Sequence, residues 1–395
     1  MELKFFGAVD CVTGSCHMLK TEQHSILLDC GQFQGNKRLE ARNAQPFPFD
    51  PSEVDCMILS HAHVDHSGRI PLLVKQGFRG KIFCTRATAD LLEVMLRDCG
   101  HIHEKDAEWA NKKARRAGRP EIEPLYTVED AEAALSYVVP VLYDQLVEVN
   151  EQIKICFNDA GHILGSAITE LWVEEQGAIS KIVFSGDLGV TDRPILRDPV
   201  IIKKADYVIM ETTYGNRLHE QNLESVEKLM QIIIDTAKRG GNVVIPAFAV
   251  GRTQELIFQL NKYYESHNEY RPILDQVNVY LDSPMAITTT EVFERNASVF
   301  DDETREYILS GDNPLDFKNL QFTKTTEESM ALNEDTRPKI IISASGMCDA
   351  GRIRHHLKHN LWNHKNSIVF VGYQANGTLG RRILDGERDL SILGE

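Results

Sequence analysis

The residues of this chain with the clearest capacity for chemistry are His61, His63, Asp65 and His66, four potential metal ligands within six positions. They follow the apolar run 56–60, so they stand where a buried strand leaves its sheet. On such a loop, His61 and His63 can point at one ion while Asp65 and His66 turn towards a second. Neutral imidazoles and carboxylates suit zinc, which prefers nitrogen, oxygen and sulfur ligands. A polar turn with exposed histidines is the alternative interpretation, and this density of ligands disfavours it.

Three further candidate residues stand at the ends of apolar runs. Asp29 closes the run 25–28, His162 lies in a glycine-flanked loop between two strand-like runs, and Asp187 ends the run 181–186. A carboxylate such as Asp187 can bridge two cations held about 3.5–4 Å apart, the spacing that two-metal hydrolases use. Each residue alone is typical of a cap or a turn. Their shared order, each after a strand and before a glycine, predicts one metal site.

The second half of the chain indicates a candidate substrate-binding site at one edge of a β-sheet. From about Thr212 onward, strand patterns alternate with helical ones, which indicates a parallel sheet with helices on its faces. Ligands of such sheets bind beyond the carboxyl ends of the strands, where we expect Ser283, Ser345 and Gly346. Gly346 permits close approach of a phosphate, and Arg252 can add a bidentate contact. The alternative is that these segments are ordinary turns.

Taken together, these residues resemble the motifs of the metallo-β-lactamase superfamily. Asp29, the His61-to-His66 loop, His162 and Asp187 match its first four motifs. Four more blocks are similar to the β-CASP branch, the nucleic-acid-processing nucleases related to the factor that cleaves messenger-RNA precursors. These blocks are ETTYGNR (211–217), PAFAVGRTQE (246–255), DSPMA (282–286) and SASGM (343–347). The resemblance therefore covers nearly the whole chain.

The resemblance implies an α/β fold with two domains. We expect a metallo-β-lactamase αββα sandwich over residues 1–212 and an inserted β-CASP parallel-sheet α/β domain over residues 213–385. Residues 386–395 would begin the segment that returns to the first domain.

The activity implied by the resemblance is zinc-dependent hydrolysis of RNA phosphodiester bonds. We expect an endonuclease, with 5′-to-3′ exonucleolysis as an additional candidate activity. The implied ligands are His61, His63, His162 and Asp187 for one zinc ion, and Asp65, His66 and Asp187 for a second. Asp65 would orient the attacking water, and Asp29 would hold a ligand histidine from behind. Glu211 would pair with a histidine that assists proton transfer.

That proton-transfer histidine and a further zinc ligand normally follow the inserted domain in this branch. The later histidines of this chain stand in neither context; they are His219, His267, His355, His356, His359 and His364. We therefore expect a C-terminally truncated chain with a weakened second zinc site and impaired activity.

Composition adds constraints on partners and compartment. The formal net charge of −15 argues against indiscriminate nucleic-acid binding, which depends on Lys and Arg. Residues 350–384 nevertheless contain no Asp or Glu but six basic side chains, so they could form a local path for RNA. No apolar run approaches the ~20 residues that span a bilayer, and the eight cysteines form no CxxC pair. We expect reduced thiols, a cytoplasmic protein, RNA as partner, no membrane partner and a possible homodimer.

Two other functions stay open at this point. A small-molecule metallo-hydrolase of thioesters, lactones or lactams would share the first domain. A non-catalytic RNA-binding scaffold is the other alternative, against which the intact His61-to-His66 loop argues.

Overall fold

The computed structural model describes residues 1–216, 223–375 and 377–394. Arg217 of the ETTYGNR block, His219 and Glu395 therefore lie outside the described residues. The chain divides after Gly215 into two compact units, which are described one at a time.

The first unit contains eleven strands and five α-helices. The strands are β1 (Glu2–Gly7), β2 (Cys16–Lys20), β3 (Ser25–Leu28), β4 (Cys56–Ile58), β5 (Lys81–Thr85), β6 (Val138–Val141), β7 (Val147–Glu148), β8 (Ile153–Asp159), β9 (Ala167–Glu175), β10 (Ala178–Phe184) and β11 (Tyr207–Ile209). The helices are α1 (Lys37–Glu40), α2 (Val64–Ser67), α3 (Ile70–Lys75), α4 (Arg86–Arg116) and α5 (Val128–Leu135).

Two sheets of the first unit pack face to face. One has the order β1-β2-β3-β4-β5-β6 and the other the order β11-β10-β9-β8-β7. Alternate residues of both sheets, such as Ile26, Ile58, Phe157 and Leu171, meet in one buried cluster. This is the inward-facing period of two that a sandwich requires. β3, β4, β5 and β6 run parallel, so their carboxyl ends share an edge.

Local sequence explains the main helices of this unit. Thr85 caps α4 by accepting from the N–H of Thr88, and Thr127 and Asp130 form a reciprocal capping box at α5. The histidine loop leads directly into two short helices, since α2 begins at Val64 within the loop and α3 follows from Ile70. The Ser67 hydroxyl donates to the carbonyls of Ala62 and His63 and closes this turn.

The second unit carries the remaining described elements. Its strands are β12 (Val243–Pro246), β13 (Asn278–Leu281), β14 (Leu320–Phe322), β15 (Lys339–Ser343) and β16 (Ser367–Ile368). Its helices are α6 (Leu223–Lys238), α7 (Arg252–Ser266), α8 (Arg271–Leu274), α9 (Pro284–Arg295), α10 (Asp302–Leu309), α11 (Thr326–Glu334), α12 (Ile353–Asn360) and α13 (Leu379–Leu384).

These strands form one parallel sheet in the order β14-β13-β15-β12-β16. β12 and β15 are buried along their whole length, as the continuous apolar runs of a doubly covered parallel sheet require. The predicted α/β fold class is confirmed.

Residues 312–335 show little sequence pattern, yet they contain β14 and α11. β14 pairs with β13 through Leu320 and Val279, and α11 has a capping box formed by Thr325 and Glu328. The short edge strand carries too few residues to show a period, whereas the Thr-x-x-Glu spacing was a readable signal.

Among the described residues, none of the helices combines the length and apolar character that crossing a bilayer requires.

Candidate metal centre

The candidate ligands of the first unit all follow strand ends. Asp29 comes directly after β3, in a left-handed conformation with φ 58°, and the histidine loop follows β4. His162 lies between β8 and β9, and Asp187 follows β10. His61 is fully buried and His63 caps the N-terminus of α2, so the loop is held by the helix that it starts.

Four of these side chains converge. Ligand atoms of His61, His63, His162 and Asp187 all lie within 4.8 Å of one another. The Asp187 Oδ2 atom is 3.7 Å from His61 Nε2 and 3.4 Å from His162 Nε2. His162 Nε2 is also 3.2 Å from His63 Nδ1. Three imidazole nitrogens and one carboxylate oxygen therefore surround a single point.

The other oxygen of Asp187 faces a second set of side chains. Asp187 Oδ1 lies 3.2 Å from His66 Nε2, and this nitrogen is 3.9 Å from Asp65 Oδ2. Asp187 is thus shared by two ligand groups, one at each oxygen. This is the arrangement that a carboxylate bridging two cations requires.

Asp29 lies behind this cluster. Its Oδ2 atom is 2.7 Å from His66 Nδ1 and accepts from the hydroxyls of Ser15 and Ser60, both at 3.0 Å. Its Oδ1 atom accepts from the N–H of Ser60 at 2.8 Å. The carboxylate is fully buried and accepts from His66 Nδ1–H, so Nε2 is the ring nitrogen that faces Asp187.

Ser15 was not identified from the sequence. Its hydroxyl donates to Asp29, its N–H donates to the carbonyl of Asp65 at 2.8 Å, and its carbonyl accepts from Gly31 N–H at 2.7 Å. One residue therefore braces both Asp29 and Asp65. Gly14 before it has a φ of 83°, which only glycine adopts freely, so the Gly-Ser turn was the available signal.

Glu211 braces the segment that follows Asp187. Its carboxylate accepts from the N–H of Leu188 at 2.9 Å, and its own N–H donates to the Ser185 hydroxyl at 3.1 Å. The structure thus gives Glu211 a positioning contact that the sequence did not suggest.

The histidines around Asp187 have divergent pKa values. Burial lowers the pKa of His61 and His63, and burial together with the neighbouring His63 lowers the pKa of His162 to about 3. Burial opposes protonation of His66 too, but Asp187, Asp65 and Asp29 raise its pKa well above the usual value. The neutral imidazole is the form that binds a metal ion.

Burial would raise the pKa of Asp187, but His66, His61 and His162 around it hold that pKa far below its usual range. The carboxylate is therefore ionised and ready to accept a cation.

The buried Nε2 atom of His61 indicates that these donor atoms suit a metal ion. His61 Nε2 is buried and has no hydrogen-bond partner, although it points into a group of other acceptors. A buried unpaired nitrogen is unfavourable, and a cation at this position would satisfy it. Nitrogen and carboxylate ligands in this number suit a divalent metal ion.

The residues predicted to contact substrate lie at the carboxyl edge of the second unit's sheet. Arg252 begins α7 after β12, Ser283 follows β13, and Ser345 and Gly346 follow β15. Their polar groups are largely engaged within the unit. The Ser283 hydroxyl caps α9, and Arg252 forms a 2.8 Å ion pair with the buried Glu255. Their role in substrate binding stays a prediction.

The predicted basic path in residues 350–384 is partly neutralised. Arg352 is 2.7 Å from Asp282, Arg381 is 2.7 Å from Asp385, and Arg382 is 2.6 Å from Glu387. The acidic partners lie just outside the stretch or far away in sequence, so a count of charges along the chain did not reveal them.

Comparisons with known protein families agree with this architecture. Residues 18–192 match the metallo-beta-lactamase superfamily domain, and residues 253–383 match the Beta-Casp domain. The whole chain is 40% identical to Ribonuclease TTHA0252 of Thermus thermophilus and covers 84% of that protein. The chain therefore belongs to the β-CASP family of the metallo-β-lactamase superfamily.

Two further relatives are longer proteins. Transcription termination factor FttA of Methanosarcina mazei is 31% identical over 98% of this chain, which spans 58% of the factor. Endoribonuclease YSH1 of Candida glabrata is 30% identical over 97% of this chain, which spans 48% of the enzyme.

Proposed function

We propose that this protein is a metal-dependent ribonuclease that hydrolyses phosphodiester bonds of RNA. The observation that carries the proposal is the position of Asp187, whose two oxygens face two separate groups of metal-ligating side chains. The names of the relatives, a ribonuclease and an endoribonuclease among them, support RNA as the substrate.

Zinc is the proposed metal, since imidazole and carboxylate ligands in small numbers suit it. One ion would be held by His61, His63, His162 and Asp187, and a second by Asp65, His66 and Asp187. When bound, the metal supplies Lewis acidity and lowers the pKa of water.

The protein's own groups hold the ligands and the reacting water. Asp65, whose side chain keeps 19% of its surface exposed, accepts a hydrogen bond from the attacking water and orients it. Asp29 fixes the ring of His66, and Glu211 holds the segment after Asp187 through Leu188. The neutral His61, His63 and His162 leave their nitrogens free for the metal ion.

Substrate binding is proposed for the rim of the second unit. Backbone groups at Ser345 and Gly346 and the side chains of Ser283 and Arg252 would contact the RNA backbone. We also propose endonucleolytic cleavage, with 5′-to-3′ exonucleolysis as an additional activity, and a cytoplasmic location. The eight cysteines, all of which are free thiols, are compatible with that compartment. A homodimer stays a prediction.

The proposal is tested with single-stranded RNA labelled at the 5′ end in one sample and at the 3′ end in another. The zinc-loaded chain should produce labelled fragments of intermediate length from both samples, and it should lose this activity after chelation. Hydrolysis of a thioester, lactone or lactam with no cleavage of RNA would instead identify a small-molecule hydrolase. RNA binding with no hydrolysis of any substrate would identify a scaffold.

A further inference from the structure

Phe248 is a partly exposed aromatic residue at the carboxyl edge of the second unit's sheet. It follows β12 by two residues, and 40% of its surface is exposed although Ala247 and Ala249 beside it are buried. The hydroxyl of Thr253 donates to the Phe248 carbonyl at 2.7 Å and fixes the backbone there. The ring is therefore held at the rim by its own loop.

Two glycines lie against the ring of Phe248. A Cβ atom at Gly346 would lie 2.9 Å from Phe248 Cδ2, and one at Gly372 would lie 3.4 Å from Phe248 Cε2. Neither glycine has the positive φ that would demand glycine for its backbone. At Gly346 the absence of a side chain is thus needed for the approach of the ring, and at Gly372 it leaves the backbone in contact with the same edge.

Gln374 ties the two glycine segments together. Its Nε2 group donates to the carbonyl of Gly346 at 2.9 Å and to the carbonyl of Gly372 at 3.2 Å. The side chain is only 3% exposed, so the two bonds are shielded from water. Phe248, Gly346, Gly372 and Gln374 form one supported aromatic surface, called the Phe248 platform below.

We propose that the Phe248 platform binds a nucleobase of single-stranded RNA by stacking. The inference rests on the proposed ribonuclease function and adds the part of the substrate that this rim recognises. A base has an apolar face that stacks on an aromatic ring whatever its sequence, and a ring that is already fixed loses little freedom on binding.

The charge of the chain makes such a contact more important. The net charge is −15, and Arg352, Arg381 and Arg382 are engaged in ion pairs, so these three side chains are less available to neutralise phosphates. Stacking needs no charge and is little affected by salt. Part of the affinity for RNA should therefore persist at high ionic strength.

The test compares two RNAs and one small diester. Binding is measured by fluorescence anisotropy with a labelled single-stranded RNA and with the same backbone carrying abasic sites, and kcat/KM is measured on the RNA and on bis(p-nitrophenyl) phosphate. Phe248→Leu should weaken binding of the intact RNA by roughly 5- to 100-fold, the range of one lost stacking contact. Binding of the abasic strand and hydrolysis of the small diester should not change.

Three variants make the result specific. Phe248→Trp should keep the affinity, and Gly346→Ala, whose Cβ would displace the ring, should reproduce the loss. Trp362→Leu is the matched control, because Trp362 is a 78% exposed aromatic that follows α12 on the return to the start of β16, at the opposite edge of the sheet. Circular dichroism establishes that each variant is folded.

Equal losses on intact and abasic RNA, or no loss with Phe248→Leu, would overturn the stacking proposal. A wild-type chain that binds RNA through bases but cleaves none would contradict the proposed function and leave stacking supported. Cleavage of RNA by the wild type, together with no effect of Phe248→Leu, would support the proposed function and contradict stacking. A wild-type chain that neither binds nor cleaves RNA would contradict both proposals.

Discussion

Asp29 lies 2.7 Å from Nδ1 of His66, and this contact determines what the other nitrogen of the ring can do. With Nδ1–H donated to a buried carboxylate, Nε2 is the nitrogen that faces Asp187, and in the neutral ring it would bind a metal ion there. Asp29 does not face the candidate metal position itself. It selects the tautomer and the orientation of His66, which does face that position.

Replacing Asp29 by Asn should weaken the site at His66 in particular. The amide keeps the shape but cannot accept from both Ser60 and His66 as the carboxylate does, so we expect about 10- to 100-fold lower affinity for the second metal ion. Metal titration of the chelated protein measures it. The exposed Asp10→Asn serves as a control, and unchanged affinity for both ions in Asp29→Asn would contradict this role.

Ser15→Ala removes a hydroxyl that donates to the Asp29 carboxylate and leaves its two backbone bonds in place. Hydrogen bonds to charged groups contribute about 1.5–3 kcal/mol, so we expect roughly tenfold weaker binding of the second ion. Ser15→Thr retains the hydroxyl and should restore it. If Ser15→Thr binds the second ion as weakly as Ser15→Ala does, loss of the hydroxyl is not the cause of the weaker binding.

The metal-free chain should lose stability as the pH falls below about 6.5. The pKa values of His61, His63 and His162 are lowered in the folded state, so below the ordinary value of 6.5 the unfolded state binds more protons. His66 acts in the opposite sense, because its raised pKa favours folding at low pH and loses that contribution as pH rises. Below 6.5 the contribution of His66 is already complete, so it does not offset the loss of stability from the three lowered pKa values.

Denaturant unfolding in the presence of a chelator, carried out from about pH 8 to about pH 5, measures this dependence. With Trp109 and Trp362 replaced by Phe, fluorescence of Trp172, in β9, reports the first unit. His162→Gln should reduce the dependence. A first unit that is equally stable throughout would show that the buried histidines are not neutral in the folded state.

The second unit should depend on a buried carboxylate. Asp282 is fully buried and contacts His356 at 2.6 Å, Arg352 at 2.7 Å, Thr323 at 2.6 Å and Ser329 at 2.5 Å. Asp282→Ala should destabilise the unit by about 3–5 kcal/mol, because it leaves buried charged and polar partners without an acceptor. Hydrogen exchange of the β12 and β15 amides in denaturant measures it, and Asp302→Ala, at an exposed ion pair, should change stability little.

Asp282 also determines how the stability of the second unit should change at acid pH. Burial would raise the pKa of Asp282, but hydrogen bonds from His356, Ser329 and Thr323 lower it to about 2. Its contribution to stability is complete above 3.8, the ordinary value, and is lost as the pH falls to about 2. Equal acid sensitivity of the wild type and Asp282→Asn over this window would contradict the assignment.

The candidate metal ligands can be found in the sequence because they are grouped by type directly after apolar strands, and the structure brings four of them together. His61, His63 and His66 fall within one loop, and Asp187 repeats the strand-then-glycine order. The parallel-sheet α/β class of the second half followed from the alternation of strands and helices there, whereas the αββα sandwich of the first half was implied by the family resemblance.

What the sequence did not predict are contacts between residues far apart in the chain. Ser15 reaches both Asp29 and Asp65, and Asp282 reaches His356, 74 positions away. Neither pair has a local pattern, since each depends on which strands become neighbours. Gln374 beneath the Phe248 platform was missed for the same reason.

Asp187→Ala provides the most direct test of a shared metal centre that cleaves RNA. Zinc bound per chain, by elemental analysis, and cleavage of labelled single-stranded RNA are measured on the same preparations of wild type, Asp187→Ala and the control Asp10→Ala. Because one carboxylate faces both candidate ligand groups, we expect Asp187→Ala to lose bound metal and RNA cleavage together and Asp10→Ala to keep both. An Asp187→Ala protein that retained full zinc and full turnover would contradict it.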